Sequence, residues 1–177
     1  MSGTANLAQG TWEDAEALVG TTIGVVRGAD PVSAADIRRK LEVIGWDCPL
    51  HTDPGVAREH GHPDVPAPGS MVRVWAMPPY WRPGEPRIQT ELMTTPLVAA
   101  SVPGEGDTMI ATKIRVEHIG DLYPGDTVSG ETVLRDVTRK TTRVGPGAFL
   151  TVETTYRNQR DEVVSIETVS LLRYQSS

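Results

Sequence analysis

A single cysteine, Cys48, stands in the whole chain. It has no partner for an intramolecular disulfide, and without a C-x-x-C pair there is no thiolate metal spacing. Positive charge is also short: 17 Lys and Arg face 23 Asp and Glu, a formal net charge of -6. Such a balance supplies no surplus of cations to follow a phosphate backbone or an anionic lipid surface, so neither nucleic acid nor a membrane is an expected partner. No apolar run reaches spanning length. The opening stretch, MSGTANLAQGTWEDAEALVG, has neither the basic start nor the apolar middle of an export signal. A reducing, cytoplasmic setting is the expectation. Aromatic residues make up only 5% of the chain, with one phenylalanine, so a core must be built chiefly from aliphatic side chains. At 177 residues the chain is long enough to bury one without a staple, and one domain is the natural size.

What is present changes character once along the chain. Residues 1–10 are small and polar and read as a flexible N-terminus, with one domain over 11–177. TWEDAEALV predicts a short helix ending at Gly20, and Thr21 to Val26 a β-branched strand. Ser33 and Asp36 have capping-box spacing, Ile37, Leu41 and Ile44 share a face, and Gly45 stands where that helix would stop. Asp53 before Pro54 opens a further short helix to about His60. SMVRVWAM is apolar apart from Arg73 and predicts a helix buried along its whole length, ended by Pro78 and Pro79. Pro78 to Asp107 carries six prolines and little periodicity, the mark of a long loop. Thereafter the period becomes two, over Met109–Ile119, Thr127–Val137, Ala148–Arg157 and Val163–Tyr174. Turns are expected at Tyr123–Asp126, Gly145–Gly147 and Asn158–Asp161. Together these predict an α+β fold in which one antiparallel sheet wraps around a central helix.

The segments IGWDCPLHTD and VAREHGHPDVPAPGSMVRVWAMP, followed by YPGDTVSGETVLRDVTRKTTRVGPGAFLTVETTYRNQRDEVVS, resemble the IGDxNPLHxD, A-x-x-x-G-H and PGD-strand-GPG-strand pattern of MaoC-like hot-dog proteins. The resemblance covers roughly residues 12–175 and is to the dehydratase N-terminal-domain type, similar to actinobacterial enoyl-CoA and steroid side-chain hydratase subunits. It implies addition of water to a 2-enoyl thioester, or the reverse, with the acyl group on coenzyme A or an acyl carrier protein and no other cofactor. An Asp–His pair would hold the water and move its proton, since such work needs both groups within hydrogen-bond reach. A backbone N–H at the start of the central helix, here Gly69, would meet the enolate oxygen.

The chain departs from that pattern at its centre. Five places before His51 the family's Asp is replaced by Trp46, and the Asn by Cys48. Asp47 lies one residue off, and misplacement of about 1 Å already costs roughly a hundredfold in rate. His51 is therefore either a catalytic group or a loop residue bonding its own turn beside Asp53. Asp47 reads as an acid–base group or a turn residue, Asp53 as a cap, and Cys48 as a nucleophile, if an electropositive, exposed spot held it, as a pocket residue, or as buried, inert filler. His60 and His62 lack a third ligand at a recognisable spacing. Trp46, Trp75, Tyr80 and Trp81 would line an acyl pocket or form plain core; Arg82, Arg87, Arg139, Lys140 and Arg143 would meet coenzyme A phosphates or stay solvated. The expected role is that of a non-catalytic or weakly catalytic hydratase subunit paired with a second MaoC-like chain holding an intact dyad. The alternatives are a homodimeric hydratase using His51 with Asp47 or Asp53, and a hot-dog thioesterase or polyketide-type cyclase or binding protein.

Overall fold

The computed structural model describes residues 7–79, 83–84 and 98–176. Tyr80, Trp81, Arg82 and Arg87 lie outside the described residues. The elements follow in the order α1 (Trp12–Ala17), β1 (Thr22–Arg27), α2 (Ala34–Ile44), α3 (Pro54–Glu59), α4 (Val72–Trp75), β2 (Thr108–His118), β3 (Val128–Thr142), β4 (Gly145–Asn158) and β5 (Val163–Tyr174). The five strands form one antiparallel sheet in the order β1-β3-β4-β5-β2.

Local chemistry accounts for the helix ends. Thr11 and Asp14 close a capping box on α1, and Ser33 caps α2 by accepting from the Asp36 N–H. Gly45, at φ 60°, ends α2 in the left-handed region that costs glycine least. Asp53 caps α3 through the Gly55 and Val56 amides.

Three expectations need correction. Residues 7–10 are not loose: Leu7 is buried, the Ala8 N–H donates to the Ala100 carbonyl, and Gln9 pairs with Gly104. The central helix is short. A 3-10 turn over Gly69–Met71 leads into one turn of α-helix, with no side-chain cap, and Val74 is 52% exposed. Pro68 before and Pro78 after it leave room for little more. Finally, the reversal expected at Gly145–Gly147 sits one step earlier, at Arg143-Val144, with Thr142 paired to Gly145 and Pro146 already inside β4.

The inner face of the sheet has two ends. At one, Trp12 and Ala15 of α1, with Ala99 and Val102, pack on Leu134, Leu150, Val152, Val169 and Leu171. Each leucine buried there contributes about 1.5–3 kcal/mol. At the other end, Ile37 and Leu41 of α2 meet Met71, Val72 and Trp75 against Leu122, Tyr156 and Val164. A polar row, Thr132–Thr154–Glu167, crosses the strands between Leu134–Val152–Val169 and Gly130–Tyr156–Ser165. The two threonine hydroxyls bond at 2.8 Å, and Arg73 reaches Glu167 at 3.6 Å. No helix among the described residues is long and apolar enough to cross a membrane.

Candidate functional site

The chain reverses at Gly45, runs extended through Cys48, and tightens into a 3-10 turn, Pro49–His51. That turn presents His51. Its Nδ1 lies 2.8 Å from the Pro66 carbonyl oxygen; because a carbonyl only accepts, Nδ1 carries the proton and Nε2 is the free atom of the neutral ring. The Trp46 ring stands 5.0 Å from the imidazole, tilted by 57°. Among the described residues no carboxylate reaches His51.

The other expected carboxylates are elsewhere. Asp53 is taken up by the α3 amides, which removes it as the partner of His51. Asp47 is exposed and borders a shallow surface groove with Trp46, Gly45 and Arg38. Cys48 is half-buried. Trp75 is core, its Nε1 without a hydrogen-bond partner among the described residues. Arg139 is engaged by Glu13 at 2.7 Å and Glu16 at 2.9 Å, which raise its pKa, Glu13 most, so it is not a free cation for a phosphate.

His51 walls a cavity of about 260 Å³ whose polar lining is His51, His62, His118 and Asp121, with Gly69 at its edge and Leu50, Val72, Leu122 and Val164 as apolar wall. On another side His51 borders a second space of about 440 Å³, lined by Ile37, Arg38, Thr52, Pro54, Asp64 and Pro124 among others. Gly69 permits a close approach: a Cβ there would stand 2.6 Å from Nδ1 of His118, so the His118 ring rests on the backbone of the turn. No backbone carbonyl among the described residues takes up the Gly69 N–H.

Sequence reasoning missed the second half of this lining. Gly61, at φ 87°, turns the chain after α3, and the His62 N–H donates back to the Ala57 carbonyl. The His62 Nδ1 then lies 3.1 Å from the Tyr123 hydroxyl and 3.3 Å from Oδ2 of Asp121. Burial first, then the negative charges of Asp121 and Asp126, push the Tyr123 pKa up, so its hydroxyl stays protonated. The only advance signal was the pair of polar residues after the β2 pattern, in HIGDLYPGD. Among the described residues no group of three or more His, Cys, Asp or Glu is arranged to hold a metal.

Comparison with known proteins places this geometry. The chain is 35% identical over 161 residues to a probable enoyl-CoA hydratase alpha subunit of Thermomonospora curvata, covering 90% of this chain and 50% of that protein. It is 31% identical over 122 residues to the 3-oxo-4,17-pregnadiene-20-carboxyl-CoA hydratase alpha subunit of Mycobacterium tuberculosis, covering 68% of this chain and 38% of that one. The chain thus spans half or less of the length of the curated relatives it matches. The structure aligns with a chain of the ChsH1-ChsH2 complex from Mycobacterium tuberculosis at TM-score 0.71 and 23% identity, over 94% of this chain and 96% of that one, a likeness of fold. The family described as FAS1-like, dehydratase domain region, matches residues 17–167. An antiparallel sheet packed on a short central helix, a His-bearing turn at its mouth and this match agree: the chain belongs to the FAS1-like dehydratase family of MaoC-like hot-dog domains.

Proposed function

We propose that this protein is a subunit of an enoyl-thioester hydratase, or 3-hydroxyacyl-thioester dehydratase, that builds acyl-binding cavity while a second MaoC-like chain supplies the intact Asp–His dyad. One observation carries the reading. The position that would hold the water-activating carboxylate is Trp46, its indole 5.0 Å from His51, and the imidazole is oriented by the neutral Pro66 carbonyl instead. A neutral orienter fixes the tautomer but adds no charge to stabilise the imidazolium that forms when water gives up its proton. The cavity lined by His51, His118 and Gly69, with its aliphatic wall, suits an acyl chain with few polar groups, and the Gly69 N–H, which no backbone carbonyl among the described residues takes up, would meet the thioester oxygen.

The edge strand supports a partner. Ile114 and Val116 of β2 pair with Val169 and Glu167 of β5, yet are 53% and 40% exposed. Such an apolar strip on an outer strand is a liability in a lone chain and is removed when a second sheet covers it. The relatives named above as alpha subunits, and the two-chain complex sharing the fold, favour a second hot-dog chain.

The test is hydration of crotonyl-CoA and of a longer enoyl-CoA by the purified chain, alone and mixed with a MaoC-like chain carrying an unbroken G-D-x-N-P-x-H. Slow or no turnover alone and full turnover in the mixture is the expected result. Turnover by the lone chain equal to that of the mixture overturns it, as does release of free thiol with either substrate, which would make the chain a thioesterase.

A further inference from the structure

The cavity holds an imidazole–carboxylate pair that the family position does not account for. His62 and Asp121 both line it, and Nδ1 of His62 faces Oδ2 of Asp121 at 3.3 Å and the Tyr123 hydroxyl at 3.1 Å. The carboxylate decides the tautomer. A lone pair on Nδ1 would face its negative charge, whereas an Nδ1 proton is attracted by it, so Nδ1 is the protonated nitrogen and Nε2 the basic one. Tyr123, held as the neutral phenol by burial, accepts from Nδ1 and completes the shell. Placed side by side, His51 has the family's position without a charged orienter, and His62 has a charged orienter without the family's position.

Resting on the hydratase reading above, we propose that His62 is a second acid–base centre of this cavity, with Asp121 as its positioning residue, and that it gives the chain by itself a slow hydration of 2-enoyl thioesters. The step balances within the cavity. Nε2 of His62 takes a proton from water, the oxygen bonds to C3 of the enoyl group, and the C2–C3 π electrons move onto C2 and the thioester oxygen as an enolate. The same proton then passes from Nε2 to C2, and the enolate electrons form the new C–H bond. Water's oxygen and one hydrogen end on C3, its other hydrogen on C2, and the imidazole is regenerated neutral. Asp121 stabilises the imidazolium in between. Its side chain is 54% exposed, so solvent screens the attraction, which accounts for a slow rate where a buried carboxylate would give a fast one.

The experiment uses the full chain without a partner and crotonyl-CoA. General acid–base catalysis contributes about 10²–10⁴-fold, so His62→Ala should lower the residual rate about a hundredfold, and added imidazole should restore part of it, a recovery that a merely structural role for His62 would not produce. Asp121→Asn should lower kcat about tenfold with KM unchanged, the loss of one charge-assisted bond, and Asp121→Glu should recover part of it. His60→Ala, which removes an exposed imidazole outside the cavity lining, should leave the residual rate within about threefold. Thermal unfolding checks that each variant is folded, and His62→Gln replaces His62→Ala if the latter is not. A residual rate indifferent to His62→Ala, a loss seen equally with His60→Ala, a loss that imidazole does not rescue, or no rate above the His62→Ala background each overturns the proposal, and all four leave the two-chain reading standing. A lone-chain rate equal to that of the mixture strikes the two-chain reading instead.

Discussion

The same strands end in two different chemistries. Where β5 finishes, Arg173 is fully buried and its guanidinium donates to the carbonyls of Ala8, Val102, Gly104 and Gly106 at 2.6–3.2 Å. Trp12 and aliphatic side chains close the rest of that end. Where β5 begins, the neighbouring β2 delivers His118 opposite Ser165, and three imidazoles look into open space. One end uses its polar groups internally and is sealed; the other leaves three imidazoles lining a cavity. The difference separates a sealed end from an open one, with the Thr132–Thr154–Glu167 row between them, so each end can be altered while the other is measured.

The largest expected effect belongs to the sealed end. Burial alone lowers the Arg173 pKa, yet the four carbonyls it serves favour the charged form. Arg173→Met should therefore cost about 3–5 kcal/mol of stability, because those carbonyls lose their donors, measured by urea unfolding. Under the proposed function, hydration per folded molecule, measured with the proposed second MaoC-like chain, should not change; a parallel loss of activity would show that the two ends are coupled. At the cavity end, Trp46→Asp returns a carboxylate to the place beside His51, and lone-chain hydration should rise about tenfold or more. Because Trp46 is 45% exposed, stability should move by less than about 1 kcal/mol. No gain in rate would mean that a carboxylate at this place does not act with His51.

The smallest effect is a titration. Tyr123 is raised above its ordinary value of 10.0 by burial first and then by Asp121 and Asp126. A folded pKa above the unfolded one means that the contribution to stability is complete below about 10 and is lost as pH rises through the folded value. Ultraviolet difference titration should follow tyrosinate appearing at higher pH than in the unfolded chain, and Asp121→Asn should move it back part of the way. An unchanged titration in that variant would remove Asp121 from the His62–Tyr123 cluster.

Much of the fold was legible because its signals are local. Alternation over Val163–Tyr174 gives β5 without revision, since every second residue from Glu167 to Arg173 is buried. Ser33, Asp53 and Gly45 mark helix ends through hydrogen bonds that span only a few residues. The central helix was overread, because an apolar octet between prolines looks the same whether it forms one helical turn or two. In the candidate site, His51 could be found from its spacing after Pro49, and Trp46 from its place five residues earlier. His118, Asp121 and Tyr123 could not be joined to His62, which lies more than fifty residues away in the chain, because no local pattern encodes which strand end will meet which helix end.

Composition, period and capping residues thus determined by themselves that this chain builds an antiparallel sheet with short helices, and one motif shows Trp46 where the resemblance expects an Asp. Only tertiary structure decided which imidazole has a carboxylate behind it. The reason is that strand periodicity and helix caps act over neighbouring residues, whereas the pairing of His62 with Asp121 depends on where the antiparallel register of β2 against β5 brings the chain out of the sheet.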